Sequence, residues 1–358
     1  MNYTATWIYL DKKGEESDFP QTGKLSSSFE HQALYWRCVY IFFKFVRKYL
    51  NYSNSKFLLF TNYADNHLII DGVDIIDELK KMDVQIIVRD FTFKLPKNYY
   101  GSWGNQLYEF DILDEFSKLF ENDSRLLMLD SDCLITQDIS ELFSDLDNTP
   151  AITFRGEYKN IDETELINGI SEKDMLDLSN EYIITKGENI KLDKVPYLCG
   201  EFFCARYDFI KQIVDEFPEL WKFMIQKFEN EPVSETKKFN EEAHFLSYFY
   251  AKNNIPVGIA DAYIKRLWTS DNYYQIKEGD ENIAIWHVLS GKRRYEKIFA
   301  NIDSLLKKDD KFIIEKIKSL FFTKNSIFDK KNNGMKSVLK HILRKLHLFD
   351  FVKSLVKK

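Results

Sequence analysis

Residues 125–143 read RLLMLDSDCLITQDISELF, and the architecture of the whole chain turns on how this stretch is understood. Leu126, Leu127, Met128 and Leu129 form a short apolar run that stops abruptly at Asp130-Ser131-Asp132, the pattern of a buried strand emerging at a sheet edge. Residues i and i+2 of an extended chain point to the same side, so Asp130 and Asp132 can approach one hard cation together. Thr136 or Asp138 is suited to cap a short helix running through Phe143. A second triplet, Asp145-Leu146-Asp147, has the same spacing but no apolar strand before it, and reads as a solvated loop. Context, and not the triplet itself, singles out the first.

Upstream, Thr4–Leu10 (TATWIYL) reads as a first strand, rich in β-branched and aromatic residues. Residues 29–49 have apolar side chains at helical spacing (Leu34, Cys38, Ile41, Phe45), and Lys56–Phe60 and Val84–Val88 give two further strands. Strand, helix, strand, helix, strand is the signature of a parallel sheet with crossover helices, whose ligands collect at the C-terminal strand ends. Tyr9, Asn62, Asp90 and Asp130 fall along that rim. Residues 105–120 form an amphipathic helix with Leu107, Phe110, Leu113, Phe116 and Phe120 on its core face, and Asn105 or Gln106 serves either as its cap or as a ligand contact at the rim.

Downstream, Glu157–Lys194 is polar, charged and weakly periodic, which predicts surface loops and short helices. Pro196–Tyr207 regains strand character, and Gly200 within it implies close approach of the backbone to a ligand or a neighbour. Residues 208–228 are helical. Glu241, Glu242 and His244 open another helix, where acidic side chains also suit the helix dipole. Residues 283–294 (IAIWHVLSGKRR) read as a short apolar strand ending in Trp286-His287, followed by Gly291 and three cations.

With the strand-end acidic pair in place, the chain resembles the GT-A class of nucleotide-sugar glycosyltransferases, whose metal-binding Asp-x-Asp occupies such a position. The stretch around His287 is similar to a looser version of the His-x-x-Gly-x-x-Lys-Pro-Trp segment of glycosyltransferase family 8. Here His287, Gly291 and Arg294-Tyr295 carry the likeness, with one extra residue before the Gly and Arg in place of Lys. An Arg pairs bidentately with phosphate, so the chemistry survives the change. The resemblance covers about residues 1–300 and implies a Rossmann-type mixed α/β sheet flanked by helices; the expected organisation is a catalytic domain over residues 1–310, with a donor half near 1–150 and an acceptor half near 151–310, followed by a helical tail over 311–358. The resemblance implies a nucleoside diphosphate sugar as donor, expected to be a UDP-sugar. Mn²⁺ or Mg²⁺ would be held by Asp130, Asp132 and His287, with Lys292 and Arg294 on the phosphates and Tyr9, Asn62 and Asp90 around the nucleoside. Glu201, Glu241 or Glu242 would be the base if the reaction inverts configuration, and no such base is required if it retains it.

Composition sets the outer bounds. A hydrophobic fraction of 44% and an aromatic fraction of 16% exclude a largely disordered chain, and 358 residues suffice for a large α/β domain with appendages. No apolar run reaches the length of a membrane span and no secretory signal is visible, so a cytoplasmic protein is expected. Cys38, Cys133, Cys199 and Cys204 lack metal-site spacing and are expected to be buried thiols without disulfides. Nine Lys/Arg against one Asp in residues 330–358 make that segment +8, which leaves −14 in the preceding part of a chain of net charge −6. Met335, Leu339, Ile342, Leu343, Leu346 and Phe349 are at helical spacing there, as in a basic amphipathic helix that lies on an anionic membrane surface, here the inner face of the cell membrane. Packing against the body or another copy is the alternative, and nucleic acid is not expected as a partner because the acidic body would repel it.

The expected function is transfer of a sugar to a glycan or lipid-linked glycan, as in bacterial surface polysaccharide synthesis. A phosphohydrolase of the haloacid dehalogenase type is the competing enzyme: it also uses a strand and Asp-x-Asp, but expects Thr or Val where Leu134 stands, and could draw on Lys307-Lys308-Asp309-Asp310. A catalytically silent, membrane-associated scaffold is the third alternative.

Overall fold

The computed structural model describes residues 1–17, 25–50, 54–100, 102, 104–231, 237–267, 269–270, 273–274, 276–289 and 292–321. Four strands, β1 (Asn2–Ile8), β2 (Ser55–Thr61), β3 (Val84–Val88) and β4 (Arg125–Leu129), run parallel in the spatial order β3-β2-β1-β4. The next strand, β5 (Cys133–Ile135), turns away from this sheet. β6 (Ala151–Ile152) and β7 (Phe202–Arg206) extend it, with β7 antiparallel to both β4 and β6, to give six strands in the order β3-β2-β1-β4-β7-β6. Because the chain winds outward from β1 through β2 to β3 and then returns to add β4 on the other side, the strand order reverses between β1 and β4. Open α/β sheets bind ligands in the crevice at such a reversal.

Helix α1 (Phe29–Tyr49) forms where the sequence places aromatic residues on nearly every turn, and Ser28 caps it by accepting from the His31 amide. Trp36, Phe42, Phe43 and Phe45 are at most 1% exposed, each contributing about 1.5–3 kcal/mol by burial. α2 (Ile75–Lys81) precedes β3, and α3 (Tyr108–Leu119) precedes β4. α3 packs on α5 (Tyr207–Asn230) through a stacked Phe110–Phe217 pair with ring centroids 3.6 Å apart; α6 (Glu242–Lys252) joins them through Phe245, which meets both rings edge-on, and α4 (Glu172–Thr185) joins through Tyr182 against Phe223 and Tyr248. A second sheet of three strands has the order β8 (Ile264–Arg266), β9 (Ile285–His287), β5. α7 (Asp310–Phe321) packs on the body through Ile313, Ile317 and Phe321. The basic segment 330–358 lies outside the described residues, as does Gly291.

Three sequence expectations change. Residues 157–194 contain a 14-residue helix, α4, closed by a reciprocal capping box between Ser171 and Asp174. Its buried side chains Met175, Leu178, Tyr182 and Ile183 have helical spacing, masked in the sequence by the charged residues that fill its other face. The first strand ends at Ile8 and not Leu10, which leaves Tyr9 on the segment beyond it. Neither candidate caps the short helix Glu141–Asp145, whose N-cap position is Ser140: Asp138 accepts from the Ser140 amide at 2.9 Å in the turn ahead of it, and Thr136 donates to the Ala284 carbonyl as part of the β5–β9 junction. All four cysteines are free and buried.

Candidate active site

The acidic pair follows β4, so Asp130-Ser131-Asp132 forms the turn into β5 at the point where the strand order reverses. The turn is fixed from several directions. The Asp130 carbonyl accepts from the Cys133 amide at 3.0 Å and its amide donates to the Glu201 carbonyl at 3.2 Å. The Asp132 carbonyl accepts from the Val288 amide at 3.1 Å and from the Tyr295 hydroxyl at 2.6 Å. Register does the rest: β9 pairs with β5 so that His287 lies opposite Cys133, next to the acidic turn. A residue more than 150 positions away in sequence is thereby brought to the strand end.

The His287 Nε2 atom is 3.2 Å from Asp132 Oδ1 and 3.5 Å from Asp130 Oδ2, and Nδ1 is 3.2 Å from Glu201 Oε1. Lys292 pairs directly with Asp132. One donor atom from each of Asp130, Asp132 and His287 falls within a 4.8 Å spread, and oxygen donors with an imidazole nitrogen are a donor set suited to a divalent cation such as Mn²⁺ or Mg²⁺. Burial works to raise the Asp132 carboxyl, but Lys292 and His287 outweigh it and hold it well below the usual range. Asp130 is raised to about 6 by burial, with the opposing pull of His287 and the push of Asp132 behind it. Burial disfavours the imidazolium of His287, yet Asp132 and Glu201 push its pKa up to about 10.

Of the sequence candidates, Tyr9, Asn105, Gln106, Asp130, Asp132, Glu201, Glu241, Glu242, His287 and Lys292 line one cavity. Asn62, Asp90 and Arg294 are not part of that lining. The reason for the first two is topological: they follow β2 and β3, one and two strands away from the reversal, while the crevice opens between β1 and β4. Asn62 instead bonds the Leu10 backbone, its Oδ1 accepting at 2.8 Å and its Nδ2 donating at 3.0 Å, and so braces the segment that carries Tyr9. Asp90 is exposed on the surface. Arg294 is buried beneath α7 with its guanidinium over the Phe321 ring. Lys307, Lys308 and Asp309 are exposed and outside the cavity lining.

The three glutamates differ sharply. Arg266 engages the Glu201 carboxylate through Nε and, at 2.6 Å, through Nη2, and overrides the effect of burial to hold Glu201 far below the ordinary range. A carboxylate so stabilised is a poor base. Glu241 is raised to about 7 by burial, against hydrogen bonds donated by Asn168 at 2.7 and 2.8 Å and by the Tyr197 hydroxyl at 2.8 Å. Glu242 is raised well above its usual value by burial and by Glu109. Its carboxylate lies against Gly200, where an added Cβ would come within 2.0 Å of Oε1, so the glycine accommodates this side chain.

Arg266, Asn168, Tyr197, His31 and Tyr35 also line the cavity and were not read from the sequence. Asn168-Gly169 is an Asn-Gly turn with φ of 48° and 98°, and that dipeptide was a legible signal. His31 and Tyr35 are four apart on α1, inside a pattern dominated by core aromatics, and Arg266 sits on a three-residue strand with no motif of its own.

No protein-family model matches the chain, and no curated protein matches it by sequence. Among solved structures it is similar to the crystal structure of mouse xyloside xylosyltransferase 1 in apo form, at 11% identity and a TM-score of 0.43, covering 80% of this chain and 98% of that one. It is also similar to the WbbM bifunctional glycosyltransferase apo structure, at 10% identity and a TM-score of 0.46, covering 83% of this chain and 49% of that one. Both likenesses are distant, and the chemistry of the site rests on its own geometry.

Proposed function

We propose that the chain is a metal-dependent glycosyltransferase that takes a sugar from a nucleoside diphosphate sugar, a UDP-sugar, and places it on a glycan or lipid-linked glycan. The supporting observation is the cluster of Asp130, Asp132 and His287 at the point where the parallel strand order reverses, inside a cavity also lined by Lys292 and three glutamates. Asp130, Asp132 and His287 would hold Mn²⁺ or Mg²⁺, which supplies charge neutralisation for a departing diphosphate. Lys292, paired with Asp132 in the free protein, adds a cation that can turn to a phosphate oxygen. Tyr9 and its neighbours beyond β1 offer the wall for the nucleoside. Asn105 offers the sugar an acceptor: its Nδ2 points to Asp11 Oδ1 at 3.4 Å, which leaves the buried Oδ1 without a partner in the protein. Glu241, half-ionised near neutral pH and oriented by Asn168 and Tyr197, is the carboxylate best suited to take a proton from an acceptor hydroxyl in an inverting reaction.

No helix among the described residues is long and apolar enough to cross a membrane. The basic segment 330–358 is the proposed contact with an anionic membrane, where a lipid-linked acceptor would be presented.

The test is release of UDP from a panel of UDP-sugars with Mn²⁺ present. Turnover that stops on chelation and is lost in Asp132→Asn is expected. Release of inorganic phosphate from phosphomonoesters, without UDP release, would replace this reading with the phosphohydrolase.

A further inference from the structure

Glu201 touches the site without being suited to act in it as a base. It sits immediately before β7, with its backbone carbonyl bonded to the Asp130 amide and its side chain beside His287. The β8–β9 register sets Arg266 directly opposite His287, so the same pairing that delivers the histidine delivers the guanidinium. Arg266 grips both oxygens of Glu201 and is itself braced by Glu157 at 3.3 Å and the Tyr158 hydroxyl at 3.2 Å. With Nδ1 of His287 donating to Glu201, the nitrogen left facing Asp130 and Asp132 is Nε2. An isolated imidazole has no such preference, since either nitrogen can carry its proton.

We propose that Glu201, locked by Arg266, is a positioning residue that fixes the tautomer and ring orientation of His287 so that Nε2 is presented to the metal. This rests on the metal-site reading above. It assigns Glu201 and Arg266 to the binding machinery while neither touches the ion. Carboxylates in this relation to a ligating histidine typically contribute 10–100-fold in metal affinity.

The experiment is Mn²⁺ titration followed by the paramagnetic resonance of the free ion, on wild type, on Glu201→Gln, and on Glu201→Gln with Arg266→Met, which removes the stranded buried cation. Both variants are expected to lose about 10–100-fold in Mn²⁺ affinity. The imidazole ¹⁵N spectrum of Cd²⁺-loaded wild type, assigned with His287→Ala, is expected to show His287 protonated at Nδ1 and bound through Nε2, with mixed tautomers in the variants. A folded double variant that binds Mn²⁺ as tightly as wild type, or a wild-type His287 bound through Nδ1, overturns the positioning role and leaves the metal site standing. Wild type that binds no Mn²⁺, with or without UDP, overturns both.

Discussion

The chain carries two Asp-x-Asp triplets fifteen residues apart, and their fates differ. Asp130 and Asp132 flank a turn at the strand-order reversal, with Asp132 at 3% side-chain exposure and in contact with His287 and Lys292. Asp145 and Asp147 sit at the end of a short helix: Asp145 accepts from the Tyr263 hydroxyl at 3.0 Å, and Asp147, 62% exposed, pairs with Arg125 at the surface. Spacing is identical and chemistry is not. What separates the two triplets is the burial of Asp132, which strengthens the interactions between charges nearby, and the second sheet, which brings the His287 imidazole to the first triplet alone.

The sharpest way to break this contrast is to neutralise each triplet in turn. Asp132→Asn is expected to lower metal-dependent nucleotide affinity by at least about 100-fold, ~2.7 kcal/mol, whereas Asp147→Asn leaves it unchanged, as read by calorimetry. Equal effects from the two would mean that position in the fold does not matter. The parallel half of the sheet shows why the first triplet could be found in the sequence. Residues 84–88 and 126–129 lie in strands, as their sequence predicts, because apolar runs and turn residues declare themselves locally. Its partners were harder to see. His287 was legible as a polar residue closing an apolar strand, and Asn168 through its Asn-Gly turn, but Arg266 arrives through sheet register, which no local pattern displays. Asn62 and Asp90 do follow parallel strands, as expected, but lie outside the cavity lining: a strand end is visible in sequence, while the order of strands across the sheet is not.

A second contrast lies among the glutamates. Glu241 has its pKa raised from 4.5 to about 7, so the folded state binds more protons than the unfolded one between those values, and the group's contribution to stability falls as pH rises through that window. Glu241→Gln is expected to flatten the pH dependence of unfolding between about pH 4.5 and 7 relative to wild type, by at most about 3 kcal/mol, measured by urea denaturation. Glu201→Gln acts on a carboxyl whose pKa is lowered by Arg266 and His287 against its burial, so its stabilising contribution is present above the unfolded pKa and lost in acid. A variant at Glu241 that steepened the profile instead would place its proton elsewhere.

A smaller effect is expected at Asn105. Removing its unpartnered Oδ1 by Asn105→Ala should cost a UDP-sugar about 1 kcal/mol of binding and leave UDP itself unaffected, as the proposal that this atom accepts from a sugar hydroxyl requires. Smallest of all, Asp145→Asn is expected to change stability by no more than ~1 kcal/mol through its bond to Tyr263, with no effect on metal affinity.

The most direct test is calorimetric titration of UDP into the protein with and without Mn²⁺, repeated on Asp132→Ala. Binding that requires Mn²⁺ and disappears in the variant is the predicted result. UDP that binds equally well without metal, or equally well to Asp132→Ala, would contradict the assignment of this acidic turn as the metal and donor site.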